Sequence, residues 1–179
     1  MLYSFLHRAF VCVVVAAAWL MIGCISDGDE TSEQTTLVRV GQVAPDFTVE
    51  MLDGGNVRLQ DLRGGVVLLT FWDPECPDCR NEMAVADERI VERMNAAGVH
   101  YLPISRGHSR AVIADFCATN GYTFPVGLDP TKAIYNLYAT KYVPRTFVID
   151  KQGIIRYIYV EYGLSSLDEI LSSAESLAR

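Results

Sequence analysis

The sequence is poor in positive charge and in long apolar runs. It holds 15 Lys and Arg against 22 Asp and Glu, a formal net charge of −7 at pH 7. A chain without a basic stripe cannot neutralise phosphates, so nucleic acid is excluded as a partner. The apolar run at residues 9–22 has 14 uncharged residues, fewer than the roughly 20 that a membrane-spanning helix requires. With half of its residues apolar, the chain can bury one full core.

Cysteine is also scarce, and a single pair has a short spacing. The five cysteines are Cys12, Cys24, Cys76, Cys79 and Cys117. A zinc site normally needs four ligands, and the other candidates, His100, His108 and Cys117, are scattered singly, which disfavours zinc. A purely structural disulfide between residues 76 and 79 would close a very small loop and contribute little chain-entropy stabilisation. The pair therefore indicates a dithiol/disulfide redox centre.

The two cysteines lie where a strand pattern gives way to a helical one. Val66–Trp72 is a continuous, mostly apolar run typical of a strand buried on both faces, and apolar residues recur at helical spacing from Met83 onward. Pro77 suits the first helical position, which makes Cys76 the N-cap. The free N–H groups and the helix dipole then favour the Cys76 thiolate as the attacking sulfur. Cys79 is in register with the apolar stripe, which predicts a buried, resolving thiol.

Five segments resemble the TlpA/ResA-like thiol-disulfide oxidoreductases of the thioredoxin superfamily, in their bacterial lipoprotein form. They are GQVAPDF (41–47), LDG (52–54), LQDL (59–62), FWDPECPDCRNE (71–82) and VPRTFVID (143–150). The resemblance covers residues 38–179. It implies that Cys76 and Cys79 are the redox pair, that their disulfide is the only redox group and no metal or other cofactor is needed, and that Pro144 is a cis-proline facing them.

The resemblance also implies further site residues. Glu82 occupies the carboxylate position of a C-x-x-C-x-x-E pattern, where a partly desolvated carboxyl could exchange a proton with a cysteine. Considered as an ordinary helix residue, Glu82 would instead be solvated surface. We assign substrate binding to Val143, Pro144 and Trp72.

The expected fold is α/β: a thioredoxin-like three-layer arrangement with a central mixed β-sheet, helices on both faces and an N-terminal β-hairpin. The patterns predict hairpins around residues 53–55 and 151–153, and a strand at 99–105. Helices are predicted from the cysteines to Gly98 and over residues 109–120, 130–138 and 164–177. Cys117 is expected on the inner face of the second of these helices, as a buried small hydrophobe.

The N-terminus predicts export. We divide the chain into a signal peptide (1–23), a lipidated, acidic and flexible tether (24–37) and a thioredoxin-like domain (38–179). Gly23 before Cys24 resembles the lipobox of bacterial lipoproteins, whose cysteine is acylated after signal cleavage. The alternative is an uncleaved N-terminal anchor. Both place the domain on a membrane outside the cytoplasm, in the cell envelope, periplasmic or surface-facing.

These features predict a membrane-tethered thiol-disulfide oxidoreductase that reduces protein disulfides. Glu75 and Asp78 are negative charges beside the Cys76 thiolate, so they should disfavour the reduced state and make the centre more reducing. The expected partners are a protein or small-molecule thiol or disulfide and an upstream electron donor such as a membrane dithiol transporter.

Two other functions stay open. A peroxiredoxin-type peroxidase would share the APDF opening at 44–47, but the usual P-x-x-x-[ST]-x-x-C pattern is missing, since Asp73 and Cys76 stand three residues before the two cysteines. A non-enzymatic redox-sensing or partner-binding domain would need a disulfide that no reductant turns over.

The lipobox resemblance gives a first testable prediction. Expressed in a bacterium, the protein should partition with membranes and carry an acyl label. Replacing the acyl acceptor, Cys24→Ser, should leave an uncleaved leader and no label. Unmodified, soluble mature protein from the wild-type gene would refute the anchor.

Overall fold

The computed structural model describes residues 31–179, so the predicted signal peptide and lipidation residue Cys24 lie outside the described part. Within it, one mixed sheet has the order β2-β1-β5-β4-β3-β6-β7. Its strands are β1 (Thr48–Met51), β2 (Asn56–Arg58), β3 (Val66–Trp72), β4 (Val99–Arg106), β5 (Gly127–Asp129), β6 (Arg145–Ile149) and β7 (Ile155–Val160). Between residues 31 and 179, no helix is long and apolar enough to cross a membrane.

Strand β3 is the centre of the sheet and positions the site. All seven of its residues are buried, and it pairs parallel with β4 and antiparallel with β6. Its side chains alternate between two apolar clusters: Val66, Leu68 and Trp72 face one, and Val67, Leu69 and Phe71 face the other. The predicted strand, its limits and the two hairpins are confirmed.

The α-helices contribute their buried side chains to the first of these clusters. They are α1 (Pro77–Met83), α2 (Glu92–Ala97), α3 (Arg110–Asn120) and α4 (Leu167–Ala178). The second cluster is closed by N-terminal residues and by 3-10 helices at Leu59–Leu62 and Tyr135–Leu137. This confirms the three-layer α/β arrangement. Cys117 is buried on α3, as predicted.

Two predicted helices differ in the structure. The helix expected from the cysteines to Gly98 is interrupted by a π-helical turn, Ala86–Val91, between α1 and α2. The apolar spacing does not reveal this break, because the stripe from Met83 to Met94 is buried in any case. Residues 130–138 form only the 3-10 turn, because Lys132 adopts a left-handed φ of 61° that a continuous helix does not allow.

Residues 31–36 belong to the folded unit, which corrects the predicted boundary at residue 38. Thr35 is buried, and its carbonyl accepts from the Thr140 N–H at 2.9 Å. Thr36 forms an isolated β-bridge with Ala139. The tether prediction was wrong for this stretch because it counted apolar surface, whereas threonine hydroxyls and backbone groups make the contacts.

Candidate redox site

Cys76 is the N-cap of α1, and Pro77 is its first residue, as the sequence predicts. The backbone at Cys76 is extended, and its sulfur accepts a hydrogen bond from the Cys79 N–H at 3.3 Å. The Cys76 N–H in turn donates to the Asp73 carbonyl at 3.1 Å, which fixes the turn between β3 and the helix. A free N–H in the first turn of the helix, that of Cys79, therefore points at the Cys76 sulfur, at the helix end that favours negative charge.

The two thiols differ in accessibility. Both are free cysteines in the structure; Cys76 is half-buried, whereas Cys79 has 0% of its surface exposed. Burial raises the pKa of the Cys79 thiol well above its ordinary value, and the neighbouring Cys76 and Glu82 act in the same direction. Cys79 is consequently held as a neutral thiol, out of reach of large reagents, until a partner removes its proton.

The loop before β6 lies against Cys76. The Cys76 thiol donates to the Val143 carbonyl, with 3.3 Å between sulfur and oxygen. The Val143–Pro144 bond is cis, as the resemblance implied. Pro144 is buried and Val143 half-buried. The loop thus brings backbone polar groups next to the accessible sulfur, where an extended peptide could add its own hydrogen bonds.

Trp72 does not share this surface, which corrects its assignment to substrate binding. Its side chain has 0% exposure and packs on Phe116, with ring centroids 5.8 Å apart. As the last residue of β3 it points into the helix-side cluster. We place Trp72 beneath the site, as support for the turn that carries Cys76.

Glu82 is buried rather than solvated. It is 3% exposed, and burial raises the pKa of its carboxyl to about 7, an effect that a hydrogen bond with Tyr162 only partly opposes. Glu82 lies three residues after Cys79, so both project from neighbouring turns of α1. A carboxyl that titrates near neutral pH can accept a proton and return it.

A chain of buried hydroxyls leads to Glu82. Thr70 Oγ1 and Thr146 Oγ1 are 2.7 Å apart, and Thr146 Oγ1 is 2.6 Å from the Tyr162 hydroxyl, which hydrogen-bonds Glu82. Burial raises the pKa of the Tyr162 phenol well above its ordinary value, so Tyr162 stays protonated and donates. Each hydroxyl can then donate to the next, toward the carboxylate. Sequence reasoning missed Thr146 and Tyr162, because only the β3–β6 register brings Thr146 opposite Thr70.

His108 also lies near the site, although the sequence suggested an isolated residue. Its Nε2 is 3.1 Å from Asp73 Oδ1. Candidate ligand atoms of Asp73, Glu75 and His108 all lie within 4.8 Å of one another. Neither Cys76 nor Cys79 belongs to this group.

The chain is similar in sequence and in fold to known redox proteins. The AhpC/TSA family profile matches residues 40–158. Thiol-disulfide oxidoreductase ResA of Geobacillus thermodenitrificans is 33% identical over 144 residues, which cover 80% of this chain and 81% of that protein. The solution structure of a putative protein disulfide isomerase from Bacteroides thetaiotaomicron has a TM-score of 0.74 at 31% identity, covering 80% and 92% of the two chains. Peroxiredoxin Q of Xanthomonas campestris shares the fold, with a TM-score of 0.67 at 18% identity and coverage of 80% and 99%.

Because the Glu82 carboxyl is buried, we expect the free energy of unfolding to depend on pH. The pKa of the Glu82 carboxyl is about 7 in the folded protein and 4.5 ordinarily. Protonated Glu82 therefore adds to the free energy of unfolding in full below pH 4.5, and this contribution is lost as the pH rises through about 7. Relative to Glu82→Gln, the wild type should therefore lose about 3 kcal/mol of unfolding free energy between pH 4.5 and 8. Urea unfolding across this range measures the difference. The exposed Glu169→Gln should follow the wild-type curve, and parallel curves for Glu82→Gln and wild type would contradict the burial of an ionisable Glu82.

Proposed function

This chain belongs to the AhpC/TSA family and, within it, to the ResA-like thiol-disulfide oxidoreductases of the thioredoxin superfamily. From that premise we propose that it reduces protein disulfides while it is anchored to a membrane outside the cytoplasm. The observation that carries the proposal is the pairing of an accessible N-cap thiol, Cys76, with a buried thiol, Cys79, one turn further. The apolar leader and the Gly23–Cys24 sequence support the anchored, extracytoplasmic location.

The reaction follows from the two sulfurs. The Cys76 thiolate attacks one sulfur of a substrate disulfide, forms a mixed disulfide and releases the first substrate thiolate, which takes a proton. Cys79 then loses its proton and attacks the Cys76 sulfur, which breaks the mixed disulfide and releases the second substrate thiol. The substrate gains two electrons and two protons, and the protein is left with a Cys76–Cys79 disulfide. An external dithiol must reduce this disulfide again, and no further cofactor is required.

We assign the second proton transfer to Glu82. The Cys79 thiol becomes a nucleophile only after losing its proton, and burial makes that loss unfavourable. Glu82 is buried on the next turn, and its raised pKa allows it to accept a proton near neutral pH. Val143 and Pro144 bind the substrate backbone beside Cys76, a role supported by the contact between Val143 O and the Cys76 sulfur.

The direction of electron flow follows from two exposed carboxylates. Glu75 precedes Cys76, and Asp78 lies in the first turn of α1. Their negative charges destabilise the thiolate that exists only in the reduced form, so the reduced protein gives up electrons more readily.

A peroxiredoxin-type peroxidase is the second candidate, favoured by the shared fold of peroxiredoxin Q. The thiol in the sequence position of a peroxidatic cysteine would need a Thr or Ser three residues earlier. Asp73 precedes Cys76 at that spacing, and Cys76 precedes Cys79. Cys79 is in addition fully buried, which leaves it poorly placed to meet a peroxide first.

The division of labour between the thiols can be tested by trapping. Cys79→Ser retains the attacking thiol but cannot resolve the product, so it should accumulate mixed disulfides with client proteins that dithiothreitol releases. Cys76→Ser should trap nothing, and alkylating reagents should modify Cys76 in the wild type well before Cys79. Trapping by Cys76→Ser instead would reverse the assignment and favour a peroxidase-like use of Cys79.

The direction of transfer can be tested by titration against glutathione. The Cys76–Cys79 couple should have a midpoint potential near the roughly −270 mV of thioredoxin rather than the roughly −120 mV of a strong oxidant. Replacing Glu75 and Asp78 by Gln and Asn should raise the potential by roughly 10–20 mV, because surface charges interact weakly. A wild-type value near −120 mV would indicate an oxidase, and a disulfide that glutathione cannot reduce would indicate an inert structural bond.

A further inference from the structure

The loop that faces Cys76 is held from behind by two buried side chains. The Tyr135 hydroxyl lies 2.5 Å from the Lys141 carbonyl oxygen and 2.8 Å from the Tyr142 carbonyl oxygen, and the two oxygens share its one proton. The Arg145 guanidinium donates to the same two oxygens, from Nη2 to Lys141 O at 2.7 Å and from Nε to Tyr142 O at 3.3 Å. Val143, whose carbonyl contacts Cys76, follows directly.

Arg145 also binds the N-terminal segment. Its Nη1 donates to Thr36 Oγ1 at 2.6 Å, and its Nη2 donates to Thr35 Oγ1 at 3.1 Å. The side chain is 0% exposed. A cation out of water is tolerated only where its donors are hydrogen-bonded, so the oxygens around this guanidinium must keep their positions.

The backbone of the loop depends on these contacts. Tyr142 adopts a φ of 68°, in the left-handed region that a bulky residue rarely enters. Such a conformation persists only when the surroundings fix it. Hydrogen bonds from two side chains to the Tyr142 carbonyl provide that constraint.

We propose that Arg145 is a positioning residue for disulfide exchange. Arg145, Tyr135, Thr35 and Thr36 are here called the carbonyl clamp. The clamp sets the direction in which Val143 presents its backbone to a peptide at Cys76. The proposal rests on the proposed function, because it presumes that the loop binds substrate backbone. It gives residues 31–36 a part in substrate recognition, although they are remote from the cysteines in sequence. The forked, planar guanidinium serves two carbonyls and two hydroxyls at once, which a lysine ammonium with three donors cannot do.

The test compares two disulfides with the same leaving group. One is a peptide whose cysteine carries a thiopyridyl disulfide, and the other is dithiodipyridine, which has no peptide backbone. In both, the Cys76 thiolate forms a new S–S bond and the cleaved bond releases thiopyridone, whose absorbance gives the rate. The variants are Arg145→Lys, Arg145→Met and the double variant Thr35→Val/Thr36→Val. Arg156→Met is the control, because exposed Arg156 pairs with Asp150 at the opposite end of the β6–β7 pair from Arg145.

We expect the clamp variants to lose peptide selectivity. In a single turnover of the pre-reduced protein, the ratio of the second-order rate constant for the peptide to that for dithiodipyridine should fall on the order of tenfold in Arg145→Met, as for loss of hydrogen bonds to a charged group. The fall should come mainly from a higher peptide concentration at half-saturation. Arg145→Lys and the threonine double variant should fall in the same direction by less. Arg156→Met should keep the wild-type ratio.

Other outcomes would overturn the proposal. An unchanged ratio combined with a lower melting temperature would make Arg145 purely structural, and an equal fall in both rates would show a general effect on Cys76. If Arg145→Met fails to fold, the threonine double variant decides, because it keeps the guanidinium and the side-chain volumes. No thiopyridone release by the wild type with either disulfide would refute the proposed function itself, and the assignment with it.

Discussion

The end of β3 and the start of α1 set the chemistry of this protein. A strand buried on both faces ends at Trp72, and the helix that follows cannot pair its first N–H groups within itself. One of those groups reaches the Cys76 sulfur, while the helical turn carries Cys79 into the core. The local geometry of residues 76–79 thus produces two thiols of different character: Cys76 is accessible and accepts a helix N–H, and Cys79 is buried and neutral.

The buried side of that helix contains polar groups within an apolar core. Glu82 would be destabilising there without partners, and Tyr162 and the two threonines behind it supply a connected series of hydrogen bonds. Burial raises the pKa of the carboxyl to about 7, and the hydrogen bond from Tyr162 opposes this rise only in part. The fold is therefore less stable above pH 7, where Glu82 is ionised, and the same carboxyl serves as a proton acceptor near the resolving thiol.

A second polar arrangement lies on the other side of the accessible sulfur. Arg145, the first residue of β6, joins the loop at 141–143 just before it to the N-terminal threonines, which lie 109 and 110 residues away in the chain. Burial makes each of these contacts more rigid than a surface hydrogen bond, because water cannot replace a lost partner. The substrate-facing backbone is therefore fixed by the same interactions that hold the N-terminal segment on the domain.

The sequence alone determined the features that depend on neighbours along the chain. The limits of β3, the N-cap at Cys76, the buried register of Cys79 and the order of the hairpins follow from periodicity and from the preferences of proline and glycine, which act over one or two turns. Tertiary structure decided the rest. Whether Glu82 meets water or Tyr162, whether Trp72 reaches the surface, whether His108 stands alone, and whether residues 31–36 dock all depend on which distant segments the sheet order and register bring together. Such polar contacts between remote segments leave no periodic trace in the sequence, because each requires only one hydroxyl or one charge at one position.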